Sequence, residues 1–157
     1  HVSVCPNHTV GRNTPFETRG DVALLGTFGY ELDITNLSAK EKAQVKIQVE
    51  KYHKYNDLIR EGDYYRLASA SENGAYDSWM IVEKSRRKAP LFYVQTLARA
   101  NTKSRFLRLA GLDPEKRYSV GEKEYFGSTL MQAGVRILPE SGDFKSRLIE
   151  ITEAGTP

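Results

Sequence analysis

Cys5 and the histidines His1, His8 and His53 are the residues of this sequence whose types suit nucleophilic or metal chemistry. A thiol nucleophile needs a neighbouring base that keeps it ionised, and the sequence identifies no such base for Cys5. A metal site needs three or four His, Cys, Asp or Glu ligands at a recurrent spacing. His1 and His8 stand apart from any such set and His53 lies in a Lys-rich segment, so no metal and no cofactor are expected. Carboxylates are plentiful, but pairs such as Glu122 and Glu124 alternate along a strand-like run and share one solvated face. The dense basic cluster Arg86-Arg87-Lys88, between two strand-like runs and ahead of Pro90, reads as a solvated hairpin tip rather than a phosphate-binding patch. Arg12, Glu17 and Arg19 surround a helix start, where capping and ion pairing account for them. Tyr64, Tyr65, Trp79, Phe92, Tyr93 and Tyr125 have flat faces on which sugars stack, yet they occupy strand positions where aromatics fill a core.

The elements that carry these residues divide near residue 60. His1-Val2-Ser3-Val4-Cys5 is strand-like, Pro6 and Asn7 end it, and a polar loop follows to Asn13. Thr14-Pro15-Phe16-Glu17 has the pattern of a capped helix start, with Thr as N-cap, Pro at the first helical position and Glu placed to reach back. The run Val22 to Tyr30 is apolar on nearly every side, which predicts a helix buried in something larger than this chain. Ser38 and Glu41 form a second capping box. From there to Arg60, Val45, Val49, Tyr52 and Ile59 recur at helical spacing with Tyr55 beside them, and Gly62 stops the helix. After Asp63 the period becomes strand-like. The runs are Tyr64–Ala68, Tyr76–Val82, Leu91–Leu97, Arg105–Leu109, Arg117–Val120, Thr129–Leu138 and Lys145–Thr152. Turn clusters at Glu72-Asn73-Gly74, Gly111 to Pro114 and Ser141-Gly142-Asp143 separate them. Six to seven short strands of this kind predict an antiparallel β-sandwich.

Bulk properties are those of a globular chain. The 157 residues are 39% hydrophobic and 27% charged, which suits a packed core and not a disordered tail. The net charge is only +3 and the basic residues are scattered, so neither nucleic acid nor a membrane surface is an expected partner. No apolar run approaches the roughly 18 residues of a membrane span. A single cysteine excludes an intrachain disulfide. The sequence opens on His1, without Met, and runs directly into strand-like residues. It is therefore expected to be a piece whose start carries no targeting information.

Five ordered segments resemble one family. His1-Val2-Ser3-Val4-Cys5-Pro6-Asn7-His8 resembles the last barrel strand of glycoside hydrolase family 36 α-galactosidases, with Val4 where a smaller residue is frequent. Arg12-Asn13-Thr14-Pro15-Phe16-Glu17-Thr18-Arg19-Gly20 resembles the stretch that opens the next helix. Gly26-Thr27-Phe28-Gly29-Tyr30-Glu31-Leu32-Asp33 matches the family's Gly-x-x-Gly-Tyr-Glu-Leu-Asp. Gly62-Asp63-Tyr64-Tyr65-Arg66-Leu67 and Gly111-Leu112-Asp113-Pro114-Glu115-Lys116-Arg117-Tyr118 are similar to signposts of its C-terminal domain. The resemblance implies a mixed fold: the last strand and helices of a (β/α)8 barrel over residues 1–60, then an antiparallel β-sandwich over 61–157.

It further implies a bacterial enzyme that removes terminal α-galactosyl residues from melibiose- and raffinose-type oligosaccharides with retention. That mechanism uses two carboxylates about 5–5.5 Å apart, and neither of the family's catalytic aspartate motifs occurs here; the only Trp, Trp79, is followed by Met80. No catalytic residue is expected in this chain, which is then structural and inactive by itself. A barrel strand's C-terminal end faces the active-site mouth, which makes Cys5, Asn7 and His8 candidates for the rim of the sugar site. Their other reading is loop packing and turn hydrogen bonding. Family habit further implies a homotetramer and a cytoplasmic location. The alternative function is a stand-alone carbohydrate-binding or interaction module built on the sandwich.

Overall fold

The first apolar run yields two residues of strand. β1 (Val2–Ser3) pairs in parallel with β2 (Tyr30–Glu31), Val2 opposite Tyr30. Parallel neighbours need a crossover, and α1 (Phe16–Ala23) supplies it. In this computed structural model, residues 1–155 are described, and they fall into two compact units, 1–60 and 61 onward. The architecture is mixed, with helices and mainly antiparallel sheet.

Two expectations for the first unit are corrected. The apolar helix from Val22 to Tyr30 does not form: α1 ends at Ala23, the chain turns through Gly26, and Tyr30 is already in β2. Gly26 and Gly29 are poor helix residues, and the Val2 N–H donates to the Gly29 carbonyl at 2.7 Å, which draws this stretch beside β1. Val22, on the last turn of α1, is 44% exposed. At the start of α1, Pro15 and not Thr14 is the N-cap, and no side chain caps the helix. Thr14 is held instead through its carbonyl, which accepts from Arg19 Nε at 3.1 Å.

The second capping box forms as predicted. The Glu41 N–H donates to Ser38 Oγ at 3.2 Å, and Glu41 Oε2 accepts from the Ser38 N–H at 2.9 Å. These bonds hold the Glu41 carboxyl below its ordinary range. The cap therefore persists in mild acid and is lost only as pH falls through that lowered value. α2 (Ala39–Glu61) follows. Its inward face is half-buried at Val45, Val49, Tyr52 and Ile59, and the fully buried positions are Gln48 and Tyr55. The small core of this unit gathers Val2, Phe16 and Ala23 with Phe28, Tyr30, Leu32, Leu37 and Val45. Gln48 enters it as a polar clamp. Its Nε2 donates to the Phe16 carbonyl at 2.9 Å, and its Oε1 accepts from the Tyr30 hydroxyl at 2.8 Å. Beside it, Lys51 pairs with the buried Asp21 at 2.9 Å.

In the second unit, β3 (Asp63–Ala68), α3 (Ala70–Asn73), β4 (Tyr76–Val82) and β5 (Leu91–Gln95) come first. β6 (Arg105–Leu107), β7 (Arg117–Val120), β8 (Lys123–Phe126) and α4 (Gly127–Gln132) follow, then β9 (Val135–Ile137), β10 (Lys145–Ile149) and β11 (Ile151–Glu153). They form antiparallel sheets in the orders β10-β5-β4-β3, β11-β7-β8 and β6-β9. The run Thr129–Leu138 is not one strand. Its first part belongs to α4, and Gly134 at φ +86° ends that helix by donating to the Thr129 carbonyl, a backbone shape that favours glycine. The run Lys145–Thr152 changes sheets at Glu150: β10 pairs with β5, and β11 with β7. The strand-like runs of the sequence do not include β8, which returns from β7 through Gly121.

The core draws on all three sheets. Met80, Val82, Leu91 and Tyr93 meet Leu107, Tyr118, Ile137 and Ile151, with Leu130 from α4. Trp79, Ile81, Phe92 and Val94, which alternate with the first four, are buried as well, and Trp79 stacks on Phe92 at 5.5 Å. The aromatic residues therefore serve mainly as core. Tyr65 and Tyr125 pack partly buried against it, and Tyr64 is exposed. Arg86-Arg87-Lys88 is an exposed hairpin tip, with Arg86 at φ +58°. Tyr118, fully buried, ties this tip to the Gly111–Pro114 turn: its hydroxyl donates to the Arg86 carbonyl at 2.9 Å and accepts from the Asp113 N–H at 3.0 Å.

Two outcomes follow for chemical denaturation of the chain. Tyr118→Phe keeps the ring but strands a carbonyl and an N–H, and should cost about 1–3 kcal/mol. A Cβ on Gly20 would lie 2.4 Å from the Gln48 side chain. Gly20→Ala should therefore destabilise the wild type, yet stabilise the Gln48→Ala variant by about 0.5–1 kcal/mol, its helix-propensity gain. The same sign in both backgrounds would show that the clamp does not set the packing there.

Candidate functional site

The loop that leaves β1 and returns to α1 folds on itself before it forms any site. Asn7 closes it: the Asn7 N–H donates to the Arg12 carbonyl and the Gly11 N–H to the Asn7 carbonyl, both at 2.8 Å. Asn7 Oδ1 accepts from the N–H groups of Thr9 and Val10, each at 3.0 Å. This is the local bonding by which Asn shapes turns, and Gly11 at φ +64° supplies the left-handed residue that the reversal requires. Residues 7–12 thus behave as one small body.

Its two ends converge on Arg19. Arg19 Nη1 donates to the Ser3 carbonyl, where β1 stops, and Nε donates to the Thr14 carbonyl. The guanidinium lies 5.0 Å above the Phe16 ring, a cation–π distance. The Cys5 Sγ, half-buried, lies 3.7 Å from the same Thr14 carbonyl oxygen and 3.5 Å from Asn13 Oδ1, two acceptors that share its one S–H.

A cleft of about 120 Å³ results, lined by Ser3, Val4, Cys5, Asn7, Val10, Arg12, Thr14 and Arg19. Its volume is well below the ~300 Å³ of an ordinary ligand pocket, so it is too small to enclose a ligand of ordinary size. The lining offers two guanidinium groups, a thiol, hydroxyls and an amide, and no carboxylate. It can orient a polyol by hydrogen bonds but holds no acid–base pair for glycoside cleavage.

Of the three candidate rim residues, Cys5 and Asn7 line the cleft. His8 is exposed on the same loop and is not part of the lining. The Asn7 carbonyl oxygen is occupied by its own turn. Ser3, Val10 and Thr14 were not foreseen in the lining, and Val10, 64% exposed, carries no sequence signal that would have marked it. The sequence marks Arg12 and Arg19 as helix-start charges; Arg19 holds the Ser3 and Thr14 carbonyls instead.

The remaining histidines lie apart. His1 pairs with Glu31 at 2.5 Å on the surface, and the His53 ring lies 5.6 Å from that of Tyr52. Among the described residues no three His, Cys, Asp or Glu side chains gather as a metal site would require, and no helix is long and apolar enough to cross a membrane. A second, shallow cleft lies beside Arg87, Lys88, Lys116 and Thr152. Glu153 sits within it, 3.1 Å from Lys116 and 3.9 Å from Arg87, and offsets the charge a phosphate would need.

Comparison with known proteins places both units. The Melibiase family model matches residues 1–62, and the model of the glycosyl hydrolase family 36 C-terminal domain matches residues 76–151. The α-galactosidase AgaA of Geobacillus stearothermophilus is 45% identical over 149 residues, which are 94% of this chain and 20% of that protein. The α-galactosidase Mel36A of Lactobacillus acidophilus is 41% identical over 150 residues, again 94% and 20%. Among solved structures, a variant of the Geobacillus AgaA enzyme in complex with raffinose superposes with a TM-score of 0.93 at 42% identity, over 98% of this chain and 21% of that one. The α-galactosidase of Lactobacillus brevis gives 0.94 at 36% identity, over 100% and 22%. The chain spans about a fifth of the length of the relatives it matches. With two models of one family covering its two units in order, this chain belongs to glycoside hydrolase family 36.

Proposed function

We propose that these residues are the C-terminal part of a retaining α-galactosidase, in which β1, α1, β2 and α2 close the (β/α)8 catalytic barrel and residues 61 onward form a C-terminal β-sandwich domain. The observation that carries this reading is the ordered match of the two family models, with relatives named α-galactosidase that remain 36–45% identical over most of the chain. Solved relatives hold raffinose and stachyose, and α-1,6-galactosyl oligosaccharides of that class are the proposed substrates. The two carboxylates that retention requires are supplied from outside this chain.

On this reading β1 is a barrel strand and the cleft at its C-terminal end faces the active-site mouth. Cys5 then presents its thiol to the rim, Asn7 keeps the rim loop closed, and His8 stands at its outer edge. The chain's own contribution is positional: it completes the barrel wall, orders the rim and excludes water from that side. A cytoplasmic homotetramer is the proposed setting. A free-standing sugar-binding module is disfavoured by the burial of Trp79, Phe92 and Tyr93, which leaves Tyr64 as the exposed member of that aromatic group.

Residues 1–157 alone should not hydrolyse p-nitrophenyl α-galactoside, whereas the chain extended upstream to the length of its relatives should do so. Turnover by the 157 residues, followed by release of p-nitrophenol, would overturn the assignment of the carboxylates to other segments.

A further inference from the structure

One guanidinium bolts both ends of the rim loop. Because residues 7–12 are closed by hydrogen bonds through Asn7, the freedom left to the loop lies at its two hinges, residues 4–6 and 13–14. Arg19 holds the carbonyl just outside the first hinge, Ser3, and one within the second, Thr14. Its plane is fixed in turn by the buried Phe16 ring beneath it. A planar fork can serve two carbonyls at once, whereas the ammonium of lysine is a point donor on a flexible stem. Capping and ion pairing, the usual reasons for a charge at this helical position, do not describe these bonds.

We propose that Arg19 is a positioning residue for glycoside hydrolysis: it fixes the loop between Ser3 and Thr14, and through that loop the place of the Cys5 thiol on the rim of the sugar site. The proposal rests on the α-galactosidase reading above. Loss of the fork leaves the barrel wall intact and lets the loop swing as a body about its hinges. The rim contacts weakened in this way are made to the substrate in its ground and transition states alike, so binding suffers and chemistry does not.

The test uses the full-length enzyme of that reading with Arg19→Lys and Arg19→Ala. Two quantities are measured: the peptide-resolved rate of Cys5 alkylation by iodoacetamide, and KM and kcat on raffinose. Arg19→Lys should speed Cys5 alkylation about tenfold, the scale of one lost charged hydrogen bond. It should raise KM about tenfold with kcat nearly unchanged. Added guanidinium ion should restore both in Arg19→Ala, and Arg19→Lys decides the question alone should that variant not fold. An unchanged Cys5 rate overturns the proposal. So does an equal loss of kcat and melting temperature that guanidinium leaves untouched, because a merely structural arginine would behave that way. A wild-type enzyme without α-galactosidase activity overturns the reading beneath the proposal, and the Cys5 rate then still decides whether Arg19 holds the loop.

Discussion

A single buried amide connects the three elements on which the first unit depends. Gln48 reaches from α2 to the Phe16 carbonyl in α1 and to the Tyr30 hydroxyl in β2. A core of this size has little apolar area with which to fix the angle between two helices and a two-residue strand pair. A hydrogen-bonded amide supplies direction where dispersion does not, and its burial raises the cost of every arrangement that leaves it unpaired. Gly20 is part of the same constraint, because only a residue without Cβ lets the amide lie against α1. The cleft inherits this order. Gln48 holds Phe16, Phe16 carries the guanidinium of Arg19, and Arg19 holds the two carbonyls between which the loop from β1 to α1 is strung.

The second unit uses the same device on a larger core. β4 and β5 are buried on both faces, so their sequences run nearly continuously apolar and leave little polar patterning to fix the surrounding loops. Buried polar side chains do that work. The Tyr118 hydroxyl joins the β4–β5 hairpin tip to the turn before β7. The Gln95 amide, 1% exposed, donates to the carbonyls of Glu140 and Gly142 and fixes the loop ahead of β10. Close approach completes the arrangement at Gly127, where a Cβ would meet the Asp113 carbonyl oxygen at 2.0 Å. Each tie spans many residues of sequence, which is why none announces itself in a local pattern.

The same division explains what was legible. α2 was readable because its N-terminus is stated locally, by Ser38 and Glu41, and β3, β4 and β7 because their strand-like runs are bounded by turn residues. The errors arose where a run of apolar residues has no period of its own. Val22–Tyr30 read as a helix, although two glycines and a parallel partner in β1 take its second half. Thr129–Leu138 read as a strand, although Gly134 divides it. Lys145–Thr152 hid a change of sheet that only tertiary pairing decides. At the site, Cys5 and Asn7 were legible as rim candidates through the family resemblance alone. Arg19 was visible as a charge, but its bonds to two distant carbonyls were not, since nothing in the sequence says that Ser3 and Thr14 come together.

A cleft without a carboxylate still bears on glycoside hydrolysis. Most of what an active site supplies beyond its reacting groups is geometry held to within about 1 Å, and a rim that shifts further loses contacts that bind the substrate in its ground and transition states alike. A short strand and a polar loop are poor means of holding such tolerances, because they bury little and lose much entropy on ordering. Here the loop's backbone groups are bound to one another around Asn7, and its ends to one side chain that rests on the core. The reacting carboxylates belong to other segments on this reading, and the binding of their substrate depends on a wall whose precision derives from an arginine that holds two carbonyls and an amide buried beneath it.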